Sequence, residues 1–360
     1  MFTNTQSKIL YSRQLVQQLE QIINDFNGRK IFFLTEENTG KLCLPHIQPL
    51  IEKYSISGTV IKPGENAKSV SSVEQVWQFL SQSGADRKSL LINIGGGMLT
   101  DLGGFAASSF KRGIAFVNIP TTLLAQVDAS IGGKTAINFN GLKNEIGIFN
   151  EPLAVIINTD FLKTLDNENF LSGYAEMLKH GLIKDRNHWD ELMNFNMTRI
   201  DYSHLQEIIS HSVDIKKWHV ENDPTENNIR KALNFGHTIG HAIESYALHK
   251  GTPMLHGYAV AYGMMAELYL SHKILGFPLE EMQKINQWLI DTYSKFTVQS
   301  TDFETLYELM THDKKNENSK INFTLLSNIG QVEINKNCSR ELVFEALEYY
   351  SNLNTKTLCR

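Results

Sequence analysis

The segment from residue 89 to residue 119 limits most strongly the folds that this chain can adopt. An apolar run over 89–94 is typical of a strand buried on both faces, and it leads directly into three glycines at 95–97. A helical pattern follows over 98–110, and a second apolar run over 114–119 predicts another strand. Strand, glycine turn, helix and strand in this order are typical of a βαβ unit, so we expect a parallel sheet covered by helices on both faces.

The two halves of the chain differ in their patterns. Short β-rich runs over 30–35 and 58–61 and a helical pattern over 71–80 extend the α/β character of the first half. After about residue 170, long helical patterns dominate, and they are followed by one β-rich pair. The helical patterns cover 172–184, 204–220, 230–248, 257–275 and 279–293, and the β-rich pair joins 320–326 to 331–334. We therefore predict an α/β nucleotide-binding domain over 1–170 and a mostly helical domain over 171–360.

Composition excludes several classes of protein. The 360 residues are 42% hydrophobic and 20% charged, which is ordinary for a globular enzyme, and the formal net charge of −5 argues against general nucleic-acid binding. Cys43, Cys338 and Cys359 are too far apart and too few for a disulfide framework, which favours a reducing cytoplasm. Residues 1–8 lack the apolar core of a signal peptide, and no stretch is long enough to span a bilayer. We expect a cytoplasmic protein with no nucleic-acid or membrane partner.

Histidines in the second half indicate a metal site. His237 and His241 are four residues apart in a helical pattern, so their side chains leave the same face. His256 follows a short loop, and Glu176 lies in an earlier helical pattern. Two neutral imidazoles and one carboxylate, with a fourth position left open, are a typical ligand set of a catalytic zinc. The alternative is that the histidines stack in the core of a tightly packed helix pair, and spacing alone makes His237 and His241 equal candidates.

Cationic and glycine-rich segments suit an anionic ligand. The glycines at 95–97 open a helix whose N-terminus would favour a pyrophosphate, although a tight turn without a ligand is an equal alternative. The glycines at 132–133 present Lys134, but Asp128 stands where a P-loop requires its first glycine. Lys134, Thr121, Thr122, Lys143 and Asn144 suit a phosphate or carboxylate, the alternative being a solvated loop. Arg230 and Asn234, one helical turn apart before His237, would line the same pocket.

These segments together resemble the 3-dehydroquinate synthase family, which belongs with the sugar-phosphate cyclases. The resemblance runs nearly end to end. It is carried by 64–68, 95–105, 111–113, 120–134, 142–144, 172–176, 233–244, 255–257 and 313–316. It implies a Rossmann-like N-terminal domain that binds NAD, and a mostly α-helical C-terminal domain that binds the metal and the substrate.

The resemblance also implies roles for individual residues. It makes Glu176, His237 and His256 the ligands of Zn²⁺ or Co²⁺, and it turns His241 towards the substrate instead. The implied NAD contacts are Gly64, Glu65, Lys68, Gly97, Met98, Leu99, Thr100, Asp101, Thr121, Thr122, Lys134, Lys143, Phe161, Leu162, Lys163 and Thr164. The implied substrate contacts are Arg112, Asp128, Lys134, Asn144, Lys179, Lys216, Arg230, Asn234 and His241, with a lysine of the pair Lys314–Lys315 nearby.

The implied activity converts a phosphorylated keto-acid, 3-deoxy-D-arabino-heptulosonate 7-phosphate, into 3-dehydroquinate and phosphate in the shikimate pathway. Transient NAD-dependent oxidation, phosphate elimination, reduction, ring opening and an intramolecular aldol closure make up the reaction, and the family suggests a homodimer. Two alternatives stay open: another sugar-phosphate cyclase such as a 2-deoxy-scyllo-inosose synthase, and a metal-dependent polyol dehydrogenase. Arg230, Asn234 and the lysines favour a substrate that bears a carboxylate.

Overall fold

The computed structural model describes residues 7–26, 30–140, 142–311 and 321–354. These residues form two compact units, which we call the first and the second unit. The first is bounded by Met1–Asp166 with Arg199–Val213, and the second by Asn167–Thr198 with Asp214–Arg360. The predicted lysine pair Lys314–Lys315 and the first residue of the predicted hairpin, Lys320, lie outside the described residues.

The first unit contains a six-stranded parallel sheet with the order β1-β8-β5-β4-β2-β3. Strands β6 and β7 form a separate antiparallel hairpin. The strands are β1 Lys8–Tyr11, β2 Ile31–Glu36, β3 Ser57–Ile61, β4 Leu90–Gly95, β5 Ala115–Pro120, β6 Lys134–Phe139, β7 Leu142–Phe149 and β8 Ala154–Ile157. The helices are α1 Leu15–Asp25, α2 Glu37–Leu42, α3 Gln48–Tyr54, α4 Val70–Gln82 and α5 Gly97–Ser109. The predicted βαβ unit is confirmed as β4, α5 and β5.

Helices cover both faces of this sheet, as the continuous apolar strands predict. Leu90, Ile92 and Ile94 of β4 face a core that includes residues of α1 and α3. Leu91, on the opposite face of the same strand, belongs to a second core with residues of α4 and α5. A strand whose two faces are both buried shows no polar alternation, which explains the uninterrupted apolar run in the sequence.

Two glycines allow α5 to lie very close to its neighbours, Gly103 to strand β4 of the sheet and Gly104 to strand β6 of the separate hairpin. A Cβ atom added to Gly103 would lie 2.1 Å from Oδ1 of Asn93, and one added to Gly104 would lie 2.5 Å from Cγ2 of Thr135. Asn93 is paired in register with Asn118 on β5 and donates a hydrogen bond of 2.9 Å to its side-chain oxygen. The close approach fixes the N-terminus of α5 at the carboxyl edge of the sheet.

The second unit is mostly helical. Its helices are α6 Asn167–Lys184, α7 Arg186–Asn194, the part of α8 Tyr202–Asn222 from Asp214 onward, α9 His237–His249, α10 His256–Leu275, α11 Leu279–Tyr293, α12 Phe303–Thr311 and α13 Arg340–Asn352. Strands β9 Phe323–Asn328 and β10 Gln331–Lys336 form the predicted hairpin. Within the described residues, no helix is both long and apolar enough to cross a membrane.

The prediction of one continuous helix over 230–248 is wrong. A 3₁₀ helix covers Ile229–Asn234, and α9 begins only at His237. Gly236 between them has φ 78° and ψ −7°, in the left-handed region, which a right-handed helix cannot include. The break makes His237 the first residue of its helix.

Glycines also set the distances around α10, which is the central helix of the second unit. It packs against α6, α9, α11, α13 and β9. A Cβ atom on Gly263 would lie 1.9 Å from the carbonyl oxygen of Gly236, and one on Gly257 would lie 1.8 Å from that of Ser172. Backbone-to-backbone contact therefore holds α10 against the start of α9 and against α6.

We expect Gly263→Ala to destabilise the protein by about 1–3 kcal/mol, because the added methyl group must push α10 away from α9. Thermal and denaturant unfolding measure the effect. Gly40→Ala is the matched control, since Gly40 lies within α2 and its added Cβ would make an ordinary contact of 3.4 Å with Thr35. Equal stability of the two variants would contradict the close packing.

Candidate functional site

A buried carboxylate lies at the centre of the candidate metal site. Glu176 on α6 is 0% exposed, and its Oε1 lies 3.3 Å from Nε2 of His237 and 3.4 Å from Nε2 of His256. Lys179, one turn later and also buried, forms an ion pair with Oε2. Among the described residues, neither carboxylate oxygen accepts a well-directed hydrogen bond. Buried acceptors left in this state fit a bound cation.

Three imidazoles surround one point beside this carboxylate. The ring centroids of His237, His241 and His256 lie 5.2–5.7 Å apart, and one ring nitrogen of each lies within 4.8 Å of the others. The i, i+4 spacing on α9 brings His237 and His241 together as predicted, and the start of α10 adds His256. Carboxylate oxygen and imidazole nitrogen are ligands that suit Zn²⁺ and Co²⁺, so the residues present fit such an ion.

The second ring nitrogen of two histidines has an oxygen partner. Nδ1 of His237 lies 3.1 Å from the carbonyl oxygen of Phe235, and Nδ1 of His256 lies 3.4 Å from Oε2 of Glu244. Each oxygen can accept a hydrogen bond from Nδ1, and in the neutral ring the lone pair is then on Nε2, the nitrogen that faces Glu176. The two rings therefore present Nε2 towards the same carboxylate oxygen.

A second buried carboxylate fixes the start of α9. Glu267 of α10 is 0% exposed, and its two oxygens accept the backbone N–H groups of Gly236 at 2.7 Å and Ile239 at 3.0 Å. These are donors that a helix N-terminus leaves without intrahelical partners. The sequence gives no signal for this role of Glu267, because a capping residue usually precedes its helix closely and this one comes 31 residues after Gly236.

The predicted anion-binding residues of the second unit lie in the loop and 3₁₀ helix before α9. Nη1 of Arg230 donates to the carbonyl oxygen of Pro224 at 2.8 Å, and Nδ2 of Asn234 donates to Oε1 of Glu226 at 3.0 Å. Asp223 accepts the backbone N–H group of Arg230 at 3.1 Å. Since Gly236 ends this segment, Arg230 and Asn234 lie in the 3₁₀ helix before α9 and not on the helix that carries His237. Lys216, another predicted anion-binding residue, lies outside this segment on α8 and is buried, with 6% of its surface exposed.

The predicted NAD contacts of the first unit follow four strands of the parallel sheet, of which β8, β5 and β4 are adjacent and β3 is separated from β4 by β2. Residues 64–68 follow β3, 97–101 follow β4, 121–122 follow β5, and 161–164 follow β8. The carboxyl ends of parallel strands meet at one edge of a sheet, and ligands of open α/β sheets bind there. Each of these segments directly follows its strand, so all four lie at the edge where a dinucleotide would bind.

A buried lysine, Lys68, joins two other predicted residues, Asp101 and Asn144. Lys68 is 4% exposed, and its Nζ lies 2.7 Å from Oδ2 of Asp101 and also donates to Oδ1 of Asn144. Glu65 accepts a hydrogen bond of 2.8 Å from Asn138 of the β6–β7 hairpin. These contacts connect the turn after β3, helix α5 and the hairpin within the first unit.

The glycine turn after β4 lies against the segment after β5. The backbone N–H of Thr121 donates to Gly95 at 3.0 Å, and a Cβ on Gly96 would lie 3.0 Å from Cγ2 of Thr122. Among the described residues, the buried hydroxyl oxygen of Thr121 has no hydrogen-bond partner. The hydroxyl is therefore available to a ligand at this edge of the sheet.

Other predicted residues have different environments. Arg112 follows the C-terminal end of α5, roughly 20 Å along that 13-residue helix from the glycine turn, so the first unit does not bring it to the carboxyl edge. Phe161 is buried, and the centroid of its ring lies 5.2 Å from that of the His46 ring. Lys163 forms an ion pair with Asp160. The remaining predicted residues lie as follows: Met98, Leu99 and Thr100 in the first turn of α5, Leu162 and Thr164 in the 3₁₀ helix Thr159–Thr164, Asp128 in the π-helix Ala125–Ala129, Lys134 on β6 and Lys143 on β7.

One further residue at the carboxyl edge was missed by the sequence analysis. Glu36 ends β2, is buried, and accepts the backbone N–H groups of Asn38 at 2.8 Å and Thr39 at 2.7 Å. Thr39 in turn donates to the carbonyl oxygen of Ile94 at 3.1 Å, beside the glycine turn. An acidic residue directly after a buried strand was the signal that could have identified it.

Sequence comparison identifies the family. A family model described as 3-dehydroquinate synthase N-terminal matches residues 58–172, and one described as 3-dehydroquinate synthase C-terminal matches 173–316. The chain belongs to the 3-dehydroquinate synthase family. A 3-dehydroquinate synthase of Parabacteroides distasonis is 49% identical over 348 residues, which cover 96% of this chain and 98% of the relative. One of Clostridium botulinum is 36% identical, covering 90% and 93%.

Solved structures share the fold of this 3-dehydroquinate synthase family member. A 2-deoxy-scyllo-inosose synthase, solved with carbaglucose-6-phosphate, NAD⁺ and Co²⁺, has a TM-score of 0.84 and 22% identity, covering 96% of this chain and 97% of its own. The 2-epi-5-epi-valiolone synthase of Streptomyces hygroscopicus, solved with NAD⁺ and Zn²⁺, has a TM-score of 0.83 and 23% identity, covering 98% of both chains. The predicted α/β fold with a mostly helical C-terminal part is confirmed.

The charges of the metal-site residues depend on one another. Although burial opposes ionisation, Lys179 and His237 hold the pKa of Glu176 well below its usual range. Burial lowers the pKa of His256, but the carboxylates of Glu176 and Glu244 outweigh that effect and raise its pKa to about 10. At neutral pH the metal-free protein therefore carries a protonated His256, which must lose its proton before the ring can bind a cation.

We expect Zn²⁺ binding at pH 7.5 to release a proton from His256. Because the pKa of about 10 lies above this pH, each unit of acidification weakens the apparent zinc affinity about tenfold through this group. Titration calorimetry in two buffers of different ionisation enthalpy measures the proton release. Zinc binding without proton release, or with an affinity independent of pH, would contradict the assigned protonation state.

Proposed function

We propose that this chain is a 3-dehydroquinate synthase that converts 3-deoxy-D-arabino-heptulosonate 7-phosphate into 3-dehydroquinate and phosphate. The observation that carries the proposal is the 49% identity to a 3-dehydroquinate synthase over nearly the full length of both chains. The cluster of Glu176 with three histidines supports it from the geometry. The enzyme is accordingly a carbon–oxygen lyase of aromatic amino acid biosynthesis.

Glu176, His237 and His256 hold Zn²⁺ or Co²⁺ in this proposal, and His241 faces the substrate. Glu176 supports this set, because the same oxygen lies near Nε2 of both His237 and His256. Two members of the set also have an oxygen partner on Nδ1, as metal-binding histidines usually do. The domain over 171–360 thus binds the metal and the substrate.

The domain over 1–170 binds NAD at the carboxyl edge of its sheet. The N-terminus of α5 offers backbone N–H groups to the pyrophosphate, and Lys68 orders Asp101 and Asn144 beside it. When bound, NAD supplies the transient oxidation and the metal polarises the substrate hydroxyls. The full set of NAD contacts is the one that the family resemblance implies.

Buried cations of the second unit bind the anionic groups of the substrate. Lys179, Lys216 and Arg230 are each at most 6% exposed, so their charges act in surroundings that weaken attraction less than water does. The Pro224 carbonyl and Asp223 hold Arg230 before a ligand arrives. Together with Asn234 and His241, and with Lys134, Asn144 and Asp128 of the first unit, they are the proposed substrate contacts. Arg112 remains a prediction from the resemblance alone.

Homodimer formation and a cytoplasmic location complete the proposal. The family resemblance supports the first, and the absence of a disulfide framework among the three cysteines supports the second. The other sugar-phosphate cyclases and the dehydrogenases are supported only by a shared fold, since the solved structures of both classes are less than 25% identical to this chain.

The direct test is phosphate release from the heptulosonate phosphate by purified protein with NAD and Zn²⁺. We expect phosphate and 3-dehydroquinate to form in equal amounts with no accumulation of NADH, because the cofactor is restored in each turnover. Glucose 6-phosphate, which lacks the carboxylate, serves as the control substrate. Turnover of glucose 6-phosphate alone, or stoichiometric NADH formation, would favour another cyclase or a dehydrogenase.

We expect Lys179→Met to make the stability of the protein depend more strongly on zinc. Removing the ammonium group leaves Glu176 without its nearest counter-charge, which costs about 3–5 kcal/mol in the metal-free protein. Bound zinc replaces that charge, so the zinc-induced rise in melting temperature is larger than in the wild type. Lys284→Met, an exposed lysine on α11, is the control. A zinc-induced rise equal to that of the wild type would contradict the placement of the ion beside Glu176.

A further inference from the structure

Glu244 is a buried carboxylate beside the metal site to which neither the spacing nor the resemblance gives a role. It lies on α9 seven residues after His237 and three after His241, so all three side chains share one face of the helix. It is 9% exposed, and its Oε2 lies 3.4 Å from Nδ1 of His256 at the start of α10. One helix thus supplies two imidazoles and a carboxylate that contacts the third.

We propose that Glu244 is a positioning residue that fixes the tautomer and the ring orientation of His256, and thereby strengthens the binding of a divalent cation. The inference rests on the proposed function, since it takes His256 as a metal ligand. It extends that function to a residue that does not itself contact the ion.

The two ring nitrogens of His256 have two different carboxylate partners. Nε2 lies 3.4 Å from Glu176, the proposed metal ligand, and Nδ1 lies 3.4 Å from Glu244. In the neutral imidazole only one nitrogen carries a proton. A carboxylate that accepts a hydrogen bond from Nδ1 keeps the proton there, and the lone pair then points from Nε2 towards the site of the cation.

His256 depends on such a partner more than His237 does. The side chain of His256 is 29% exposed, whereas that of His237 is 11% exposed and its Nδ1 already faces the carbonyl oxygen of Phe235. His256 is also the first residue of α10, where the helix dipole disfavours positive charge. The negative charge of Glu244 offsets the unfavourable field of the helix dipole, and it therefore favours the binding of a cation to the His256 ring.

The backbone of His256 is held independently of Glu244. The N–H group of Gly257 donates to Oγ of Ser172 at 3.0 Å, and the absence of a side chain at Gly257 lets α10 contact α6. Removing Glu244 therefore takes away the partner of Nδ1 while the backbone stays in place. This separates an effect on metal binding from a loss of the local fold.

The test compares the zinc affinities of wild type, Glu244→Gln and Glu244→Ala, measured by competition with a chelating dye. We expect Glu244→Ala to bind zinc about 10–100-fold more weakly. Glu244→Gln loses less, because its amide oxygen still accepts the hydrogen bond from Nδ1. Glu281→Ala is the matched control, since Glu281 is a partly buried glutamate that pairs with Arg186 at 3.3 Å, and we expect its zinc affinity to be unchanged.

A spectroscopic measurement separates positioning from general stability. In the Co²⁺-substituted protein we expect the visible absorption bands to change in Glu244→Ala and to stay close to those of the wild type in Glu244→Gln. Wild-type zinc affinity and an unchanged cobalt spectrum in Glu244→Ala would overturn the inference alone. If Glu244→Ala does not fold, Glu244→Asp replaces it, because its shorter side chain withdraws the carboxylate from Nδ1, and wild-type zinc affinity in Glu244→Asp overturns the inference. Failure of the wild type to bind zinc would overturn the metal site and this inference together.

Discussion

The fully buried carboxylate of Glu176 is the group on which the arrangement of the second unit depends. Moving an ionised carboxylate out of water costs several kcal/mol unless positive charge surrounds it. Lys179 from the same helix and the imidazoles of His237 and His256 supply that charge. Three helices must therefore meet at one point, and each of the groups that balance the carboxylate is also a group that a metal ion or an anionic substrate requires.

Close backbone contact makes this meeting possible. Gly257 lets the start of α10 touch α6, and Gly263 lets the middle of α10 touch the residue before α9. Glu267, buried on α10, then binds the first backbone N–H groups of α9 and sets the position of His237. The first unit uses the same device, because Gly103 brings α5 against β4 and Gly104 brings it against β6, and the N-terminus of α5 lies at the edge where NAD is proposed to bind.

Much of this was predictable from the sequence, and the failures have physical causes. Periodicity reports which face of a helix is buried, so it predicted the βαβ unit, most long helices and the shared face of His237 and His241. Periodicity does not reveal where one residue adopts the left-handed conformation, and for this reason the break at Gly236 was not predicted. Nor does it report which helices become neighbours: the carboxylates of Glu267 and Glu244 act on groups 31 and 12 residues away. Arg112 stays a prediction of the family resemblance, since the structure shows only that it lies at the opposite end of α5 from the glycine turn.

The central claim is that one cation is shared by side chains from α6, α9 and α10. Diffraction from zinc-soaked crystals on both sides of the zinc absorption edge tests it most directly. The account predicts a single anomalous peak about 2.0–2.2 Å from a carboxylate oxygen of Glu176 and from Nε2 of both His237 and His256. A peak coordinated by His241 in place of Glu176 or His256, or zinc bound only elsewhere on the chain, would contradict it.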